Sequence, residues 1–328
     1  AGKEVRRRMC QPDSVPTSDC TTPICVLGLG LIGGSVLRAA VAAGRRAWGY
    51  NRSPRVVDDA VGDGFDASTD LVAALRRAES ERALVVVAVP MPAVDTVLSA
   101  IAEHAPNTTV TDVVSIKAEV AAAVAAHGLS GRFVGGHPMA GTAESGWSAG
   151  TADLFRDAVW VVAVDDGTNP DAWLQVADLA LDCGAVVVPA ESREHDAAVA
   201  RISHLPHILA EALALSGAAG GDLALGLAAG SFRDGTRVAG TAPALVDAMC
   251  EGNGPALLTA LDETLDVLNA AREQLAAGST RELTRAGHEA RRRYEQRQRH
   301  PIEGVVPGDD GWLTKMRDAG RRGEVWTR

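Results

Sequence analysis

One histidine sits among glycines and small residues in Gly135-Gly136-His137-Pro138-Met139-Ala140-Gly141-Thr142-Ala143-Glu144-Ser145-Gly146. A neutral imidazole accepts protons near neutral pH, so His137 is a candidate general base. About a hundred residues earlier runs Ile24-Cys25-Val26-Leu27-Gly28-Leu29-Gly30-Leu31-Ile32-Gly33-Gly34-Ser35, where Gly28, Gly30 and Gly33 fit G-x-G-x-x-G. The segment reads as a buried strand, a glycine turn and a helix start, the arrangement that grips a dinucleotide pyrophosphate. The first glycine allows the tight turn, the second lets backbone approach the phosphates, and the third lets helix and strand pack closely. Leu31 and Ile32 belong to the same grip, at a helix N-terminus whose free N–H groups and dipole favour phosphate. A dinucleotide grip followed by a loop histidine describes an enzyme that moves a hydride while a base takes a proton.

The end of the second strand refines the cofactor. An NAD site usually places Asp or Glu there to accept from the ribose hydroxyls. This chain has Asn51, Arg52 and Ser53. A cation and a hydroxyl suit a 2′-phosphate, so the sequence favours NADP over NAD. The alternative is an Asn51 that bonds the ribose of NAD beside a solvated Arg52. Val89 and Pro90, where the strand at 84–89 ends, are placed to pass beside a cofactor ribose.

The elements that position these residues follow from patterning. Valine-rich runs bounded by Gly, Pro, Asn or Asp predict strands at 24–27, 47–50, 84–89, 109–112, 132–135, 159–164 and 185–188, with helices at 34–43, 71–78, 92–103 and 116–127. Alternation of this kind predicts an α/β fold, a Rossmann-type doubly wound and mostly parallel sheet. From Ser192 the signals are helical, with Ser192 itself read as an N-cap. A long helix from Asn253 or Pro255 to Ala277 is stopped by Gly278, and Ser279 caps a charged helix after it. The expected organisation is a flexible tail at 1–22, a dinucleotide-binding domain at 23–190, an all-helical substrate and dimerisation domain at 191–300, and a C-terminal tail at 301–328. In that last segment Trp312 and Trp326 suggest docking. Apolar faces in the helical half call for a second subunit, hence a homodimer.

Composition narrows the function class. A net charge of −10 lacks the basic footprint of a nucleic-acid binder. No apolar run reaches transmembrane length, and no apolar stretch follows the basic N-terminus, so neither a membrane span nor a signal peptide is expected. Five cysteines form no C-x-x-C pair, so no metal site is expected, and a reducing cytoplasm fits. Cys25 reads as a small core residue.

Three further motifs occur in order after the grip: Gly136-His137-Pro138-Met139-Ala140-Gly141, Ser203-His204-Leu205-Pro206-His207, and Phe232-Arg233-Asp234-Gly235-Thr236-Arg237-Val238-Ala239. Over residues 23–275 the chain resembles the prephenate and arogenate dehydrogenases of tyrosine biosynthesis. The resemblance implies a helical, dimer-forming second domain. It also implies oxidative decarboxylation of prephenate to 4-hydroxyphenylpyruvate with hydride transfer to NAD(P), driven by aromatisation; with arogenate the product is tyrosine. By the same resemblance His137 is the catalytic histidine that bonds the substrate hydroxyl. Ser115 matches a serine that orients the histidine and the nicotinamide, although it reads equally well as a helix N-cap. Arg237 matches the residue that grips the ring carboxylate, for which a guanidinium offers two parallel N–H bonds. Arg233 lies one helical turn earlier and is a candidate for the same pocket. Ser203 and His207 share a helix face if helix continues through Pro206, which kinks helices; His204 points elsewhere and His195 has no assigned role.

The chain departs from some relatives. Thr241-Ala242-Pro243-Ala244-Leu245-Val246 carries no aromatic residue after the carboxylate arginine, which leaves prephenate and arogenate both open. Glu144 or Asp247 would favour the ammonium of arogenate. No regulatory-domain pattern follows residue 280. A β-hydroxyacid dehydrogenase shares the grip and the Asn-Arg-Ser turn but needs a lysine in the helical half, and no lysine lies between Lys117 and Lys315. A non-catalytic NADP-binding protein would have no use for His137, Arg237 and Ser115 together.

Overall fold

The structure, a computed structural model, describes residues 22–142 and 144–328. The tail expected at 1–22 lies, except for its last residue, outside the described residues.

Six short strands, β1 (Ile24–Leu27), β2 (Ala47–Tyr50), β3 (Ala67–Ser68), β4 (Leu84–Val87), β5 (Val110–Asp112) and β6 (Phe133–Val134), form one sheet. Its order is β3-β2-β1-β4-β5-β6 and every pairing is parallel. Parallel neighbours need crossovers, and α1 (Leu31–Ala42), α2 (Pro54–Gly62), α3 (Leu71–Glu81), α4 (Met91–His104) and α5 (Ala118–Ala126) supply most of them. The helices cover both faces, so the strands are apolar on both sides. Along β1 the period of two is plain: Ile24 and Val26 join one apolar layer, Leu27 and Cys25 the other. Burial pushes the Cys25 thiol up to about 12, which makes it a core residue without thiolate chemistry at neutral pH. The strand order reverses between β1 and β4, and their carboxyl ends open the crevice where such sheets bind ligands.

A second sheet follows: β7 (Gly136–Pro138), β8 (Val159–Ala163) and β9 (Val186–Ala190), with α6 (Pro170–Asp182) crossing from β8 to β9. β7 runs antiparallel to β8 and pairs His137 with Val161. The sequence places His137 in a loop; the structure places it at the centre of a strand. Three residues flanked by glycine are too few to show a period of two, so the strand is invisible until β8 supplies its partner.

Beyond residue 190 the main chain is helical up to Glu295. The elements are α7 (Ser192–Val199), a π-helical stretch Ala200–His204, α8 (Leu205–Ala219), α9 (Gly221–Gly226), α10 (Gly230–Thr236), a 3₁₀ turn Arg237–Gly240, α11 (Pro243–Gly252), α12 (Gly254–Ala276) and α13 (Arg281–Glu295). Two expected caps are corrected. Glu191, not Ser192, caps α7, because both the N–H and the hydroxyl of Ser192 are taken by the Asp165 carboxylate. Thr280 precedes α13, and the Ser279 hydroxyl accepts only a long bond from Arg281 N–H at 3.3 Å. Gly278 ends α12 region with φ of +80°, as a stop signal should. Residues 301–328 hold a further helix, α14 (Trp312–Arg321), which packs on β9. Trp312 and Trp326 stack edge-on against Trp173 at 6.1 and 5.2 Å between ring centres. The backbone N–H of Trp326 donates to the Val187 carbonyl at 2.9 Å, tying this segment to the second sheet.

Candidate active site

The grip is made of backbone. Gly28 has φ of +107°, and a Cβ there would stand 2.6 Å from the Ala88 carbonyl oxygen. A Cβ on Gly33 would stand 1.9 Å from the Gly28 carbonyl oxygen, inside any allowed contact. Gly30 differs, since a Cβ there would meet nothing within 4 Å. The open space lies at the N-terminus of α1, where no side chain caps the first N–H groups. Unpaired donors facing free space fit a pyrophosphate, and Leu31 and Ile32 form the first turn beneath it. The crowding of Gly28 against Ala88 and Val89 brings Val89 and Pro90 to the rim of the same turn.

At the end of β2 the Asn51 side-chain oxygen accepts from Ser53 N–H at 2.9 Å. Its amide nitrogen has no hydrogen-bond partner among the described residues. Ser53 precedes α2 without bonding its N–H groups, and Arg52 is exposed with no carboxylate partner among the described residues.

His137 is held from three sides. Beneath it lies a buried ion pair: Lys117 Nζ donates to the Asp112 carboxylate and, at 2.6 Å, to the Gly136 carbonyl. Asp112 in turn accepts from Gly136 N–H and Val114 N–H at 3.1 and 3.0 Å. Burial pushes Asp112 up and Lys117 down, each against the pull of its partner. Gly136 has no room for a side chain, because a Cβ would stand 2.7 Å from the Asp112 carbonyl oxygen. Beyond His137 the connecting segment runs onto α1. Trp147 fills the space over Gly34, donates to Asp63 at 2.8 Å and carries the Arg38 guanidinium 3.4 Å from its ring centre. Thr151 N–H donates to Ser35 Oγ at 3.0 Å. The segment between β7 and β8 is therefore fastened to α1.

The third side comes from the helical half. His137 Nδ1 lies 2.8 Å from His195 Nε2, and His195 Nδ1 lies 2.8 Å from an Asp196 oxygen. Asp196 also accepts from the backbone N–H groups of Lys117 and Ala118, both at 2.8 Å. The carboxylate thus caps α5 from another part of the chain. Burial alone would raise Asp196, but His195 and those two N–H groups outweigh it and hold the carboxyl below its usual range. Asn253 donates to the Asp196 carbonyl at 2.8 Å and to His204 Nδ1 at 3.3 Å. Burial, followed by the charges of His195, Lys117 and His204, holds His137 well below the usual imidazole range. It is a neutral acceptor at neutral pH.

Ser115 is half-buried in the bend between β5 and α5. It does not cap α5, which starts at Ala118; the Asp196 carboxylate occupies that role. Ser203 and His207 are brought together. The π-helical stretch carries the chain into α8 without a break, since Pro206 sits in the first turn of α8. His207 Nδ1 donates to the Ser203 carbonyl at 2.9 Å. His204 is buried and faces Asn253, as a structural residue does. Arg237 opens the 3₁₀ turn that packs on α8, and Arg233 lies on α10, which packs on the same helix. Both arginines are exposed, and Arg233 lies 3.6 Å from Asp234. No bond joins either arginine to His137. Glu144 and Asp247 are exposed and reach none of these residues by a hydrogen bond.

Sequence reasoning missed Lys117, Asp112, His195, Asp196 and Asn253. One signal was available: the chain has only three lysines, and one of them follows a strand end. A buried compact ammonium is a reason to keep a lysine where arginine is used almost everywhere else.

Comparison with known proteins returns two adjoining matches. The family model for the prephenate dehydrogenase nucleotide-binding domain matches residues 36–189, and that for the prephenate dehydrogenase dimerization domain matches 191–288. A cyclohexadienyl dehydrogenase of Zymomonas mobilis is 33% identical over 265 residues, 77% of this chain and 88% of that protein. A crystal structure from Corynebacterium glutamicum, assigned to the prephenate dehydrogenases, is 49% identical with a TM-score of 0.87, covering 94% of this chain and 99% of the other. The Synechocystis arogenate dehydrogenase is 31% identical with a TM-score of 0.73, covering 83% and 100%.

Proposed function

Given that this chain belongs to the prephenate dehydrogenase family, we propose that it oxidises prephenate, with NADP as its cofactor and His137 as the base. The family reaction removes hydride from ring C4, the proton of the C4 hydroxyl, and carbon dioxide from the ring. A bound nicotinamide supplies the hydride acceptor. Everything else falls to side chains of this protein.

The observation that carries the reading is His137: a neutral imidazole with one nitrogen engaged by His195 and the other without a protein partner among the described residues. Its strand is tied to the cofactor helix through Trp147 and Thr151, which fixes base and hydride acceptor relative to each other. The Gly28–Gly33 turn with Leu31 and Ile32 would hold the pyrophosphate. Val89 and Pro90 would flank a ribose. Arg237 is the carboxylate grip, with Arg233 beside it and Ser203 and His207 on the neighbouring helix. Ser115, half-buried between β5 and α5, would lie near both the histidine and the nicotinamide.

Arg52 without a carboxylate partner among the described residues and Ser53 with a hydroxyl that does not cap α2 support NADP, since Asn51-Arg52-Ser53 at the end of β2 holds no acid to repel a 2′-phosphate. Leu213, Leu215, Leu223, Leu227, Leu268 and Leu275 are exposed on the helical half, which supports a homodimer through the region matched by the dimerization model. Arogenate is the second reading, favoured by the match to the Synechocystis enzyme. Initial rates for both substrates with both cofactors test the assignment. Higher kcat/KM with prephenate and NADP is expected, and a clear preference for arogenate or NAD would replace the corresponding half.

A further inference from the structure

The hydrogen bonds that reach His137 have a direction. Asp196 accepts two backbone N–H groups, and as a carboxylate it has no hydrogen to give. Its 2.8 Å contact with His195 Nδ1 therefore needs the proton on that nitrogen. A neutral imidazole protonated at Nδ1 offers a lone pair at Nε2. His137 Nδ1 stands 2.8 Å from that lone pair and must bring its own hydrogen. His137 is then the Nδ1–H tautomer, and its basic lone pair is at Nε2. Were the order reversed, His195 would donate to His137 Nδ1 and the proton of His137 would sit on Nε2, where it would block the base.

We propose that His195 and Asp196 are positioning residues that fix the tautomer of His137 and so make its Nε2 the acceptor for the substrate's hydroxyl proton. The proposal rests on the reading of His137 as the base. The balance is simple: the hydroxyl O–H bond breaks, a new N–H bond forms at His137 Nε2, and the Nδ1–H bond to His195 is kept. The imidazolium that results has the Asp196 carboxylate behind His195, which offsets the unfavourable presence of the Lys117 ammonium. The arrangement also links the two halves of the chain. Asp196 lies on α7 yet caps α5, so a shift of the helical half would disturb the cap and the tautomer together.

The test begins with the wild-type protein. Nitrogen-15 NMR of the ring nitrogens of His137, assigned by their loss in His137→Gln, reads which nitrogen carries the proton. The proton is expected on Nδ1 at neutral pH without substrate. In His195→Phe, which fills the space but accepts nothing, the signal should move toward the Nε2–H form. kcat should fall about 10²–10⁴-fold, with KM and cofactor affinity changed by less than about threefold. His195→Gln keeps a side-chain oxygen to accept from His137, so it should retain the Nδ1–H tautomer and recover most of the lost rate. A proton found on Nε2 in the wild type overturns the proposal, as does a His195→Phe variant with wild-type kcat. The NMR arm needs no variant of His195 to fold. If His137→Gln itself keeps a normal kcat, the base reading is what fails; if His137→Gln is inactive and the tautomer is wrong, only the role of His195 and Asp196 fails.

Discussion

The glycine turn of this site is built from backbone and the setting of His137 from side chains. Gly28 and Gly33 act by what they lack, and the atoms that leave no room for a side chain belong to the turn itself and to Ala88 and Val89 at the end of β4. His137 depends on Asp112, Lys117, His195, Asp196 and Asn253, which span more than a hundred residues and both halves of the chain. A local device tolerates changes elsewhere. A distributed one gives a half-buried imidazole a defined charge and orientation, and it can be broken from several places.

The largest effect should come from the distributed side. His137→Asn should lower kcat about 10²–10⁴-fold while KM and cofactor affinity move little, because proton acceptance is needed chiefly in the transition state. Steady-state kinetics check this, and a near-normal kcat would exclude His137 from the chemistry. The pH profile sharpens the point. Burial and positive neighbours lower the folded pKa of His137 below the usual imidazole value of 6.5. A base works when deprotonated, so the rate should hold a plateau through pH 6.5 and fall only below it. A fall that begins above pH 6.5 would mean that another group controls the acid limb. Stability follows the same sign: burial lowers His204 to about 4, so its contribution is complete above 6.5 and is lost as pH falls from there toward 4. Thermal melts across that range should show a decline that His204→Gln reduces.

The local side should break by steric means. In Gly33→Ala the new Cβ would overlap the Gly28 carbonyl, and forcing such contacts costs about 1–3 kcal/mol. Cofactor affinity, measured by fluorescence titration, should drop about 10–100-fold, with substrate KM at saturating cofactor much less changed. Gly30→Ala meets no protein atom, so any loss there reports the cofactor alone. Equal tolerance of both substitutions would mean that the turn does not hold a pyrophosphate.

The substrate grip comes next. Arg237→Lys should raise KM nearly as much as Arg237→Ala, since both lose the two-pronged guanidinium geometry. A charge-assisted bond contributes about 1.5–3 kcal/mol, or roughly 10–100-fold. Full recovery by lysine would show that charge alone suffices.

The same division explains what the sequence showed. The parallel sheet, the glycine turn and the long helix ending at Gly278 were legible because each rests on local rules: buried valine runs, spacing of glycines, a positive φ at a helix end. β7 was not legible, because a three-residue strand exists only through its pairing with β8. Ser115 reads as a possible α5 cap by its proximity in sequence, whereas the carboxylate that caps α5 comes from Asp196, 78 residues from Ala118. His195 stayed without a role for the same reason: a histidine beside an acid is ordinary until the fold sets it against a second histidine. α14 was hidden because its apolar residues gain meaning only against Trp173 and β9. In each case what was missed is a contact between distant segments, not a local preference.

The smallest effect tests the cofactor at its exposed end. Asn51 holds the turn through its bond to Ser53 N–H, so changing Arg52 leaves the turn's own hydrogen bond in place. If Arg52 pairs with a 2′-phosphate, Arg52→Ala should weaken NADP use and leave NAD use almost unchanged. Because Arg52 is exposed, solvent screening reduces the gain from the ion pair, and the cofactor ratio should move by about tenfold rather than a hundredfold. Raising the salt concentration should shrink the wild-type preference in the same direction, since an exposed pair is screened within a Debye length. Asn51→Asp should move the ratio further toward NAD, because a carboxylate accepts from the ribose hydroxyls and repels phosphate. The measurement is kcat/KM for each cofactor in each variant. Equal losses with NAD and NADP on removing Arg52 would reduce that residue to a support for the turn, and would leave the NADP assignment without a contact behind it, because the backbone grip reads only what the two dinucleotides share.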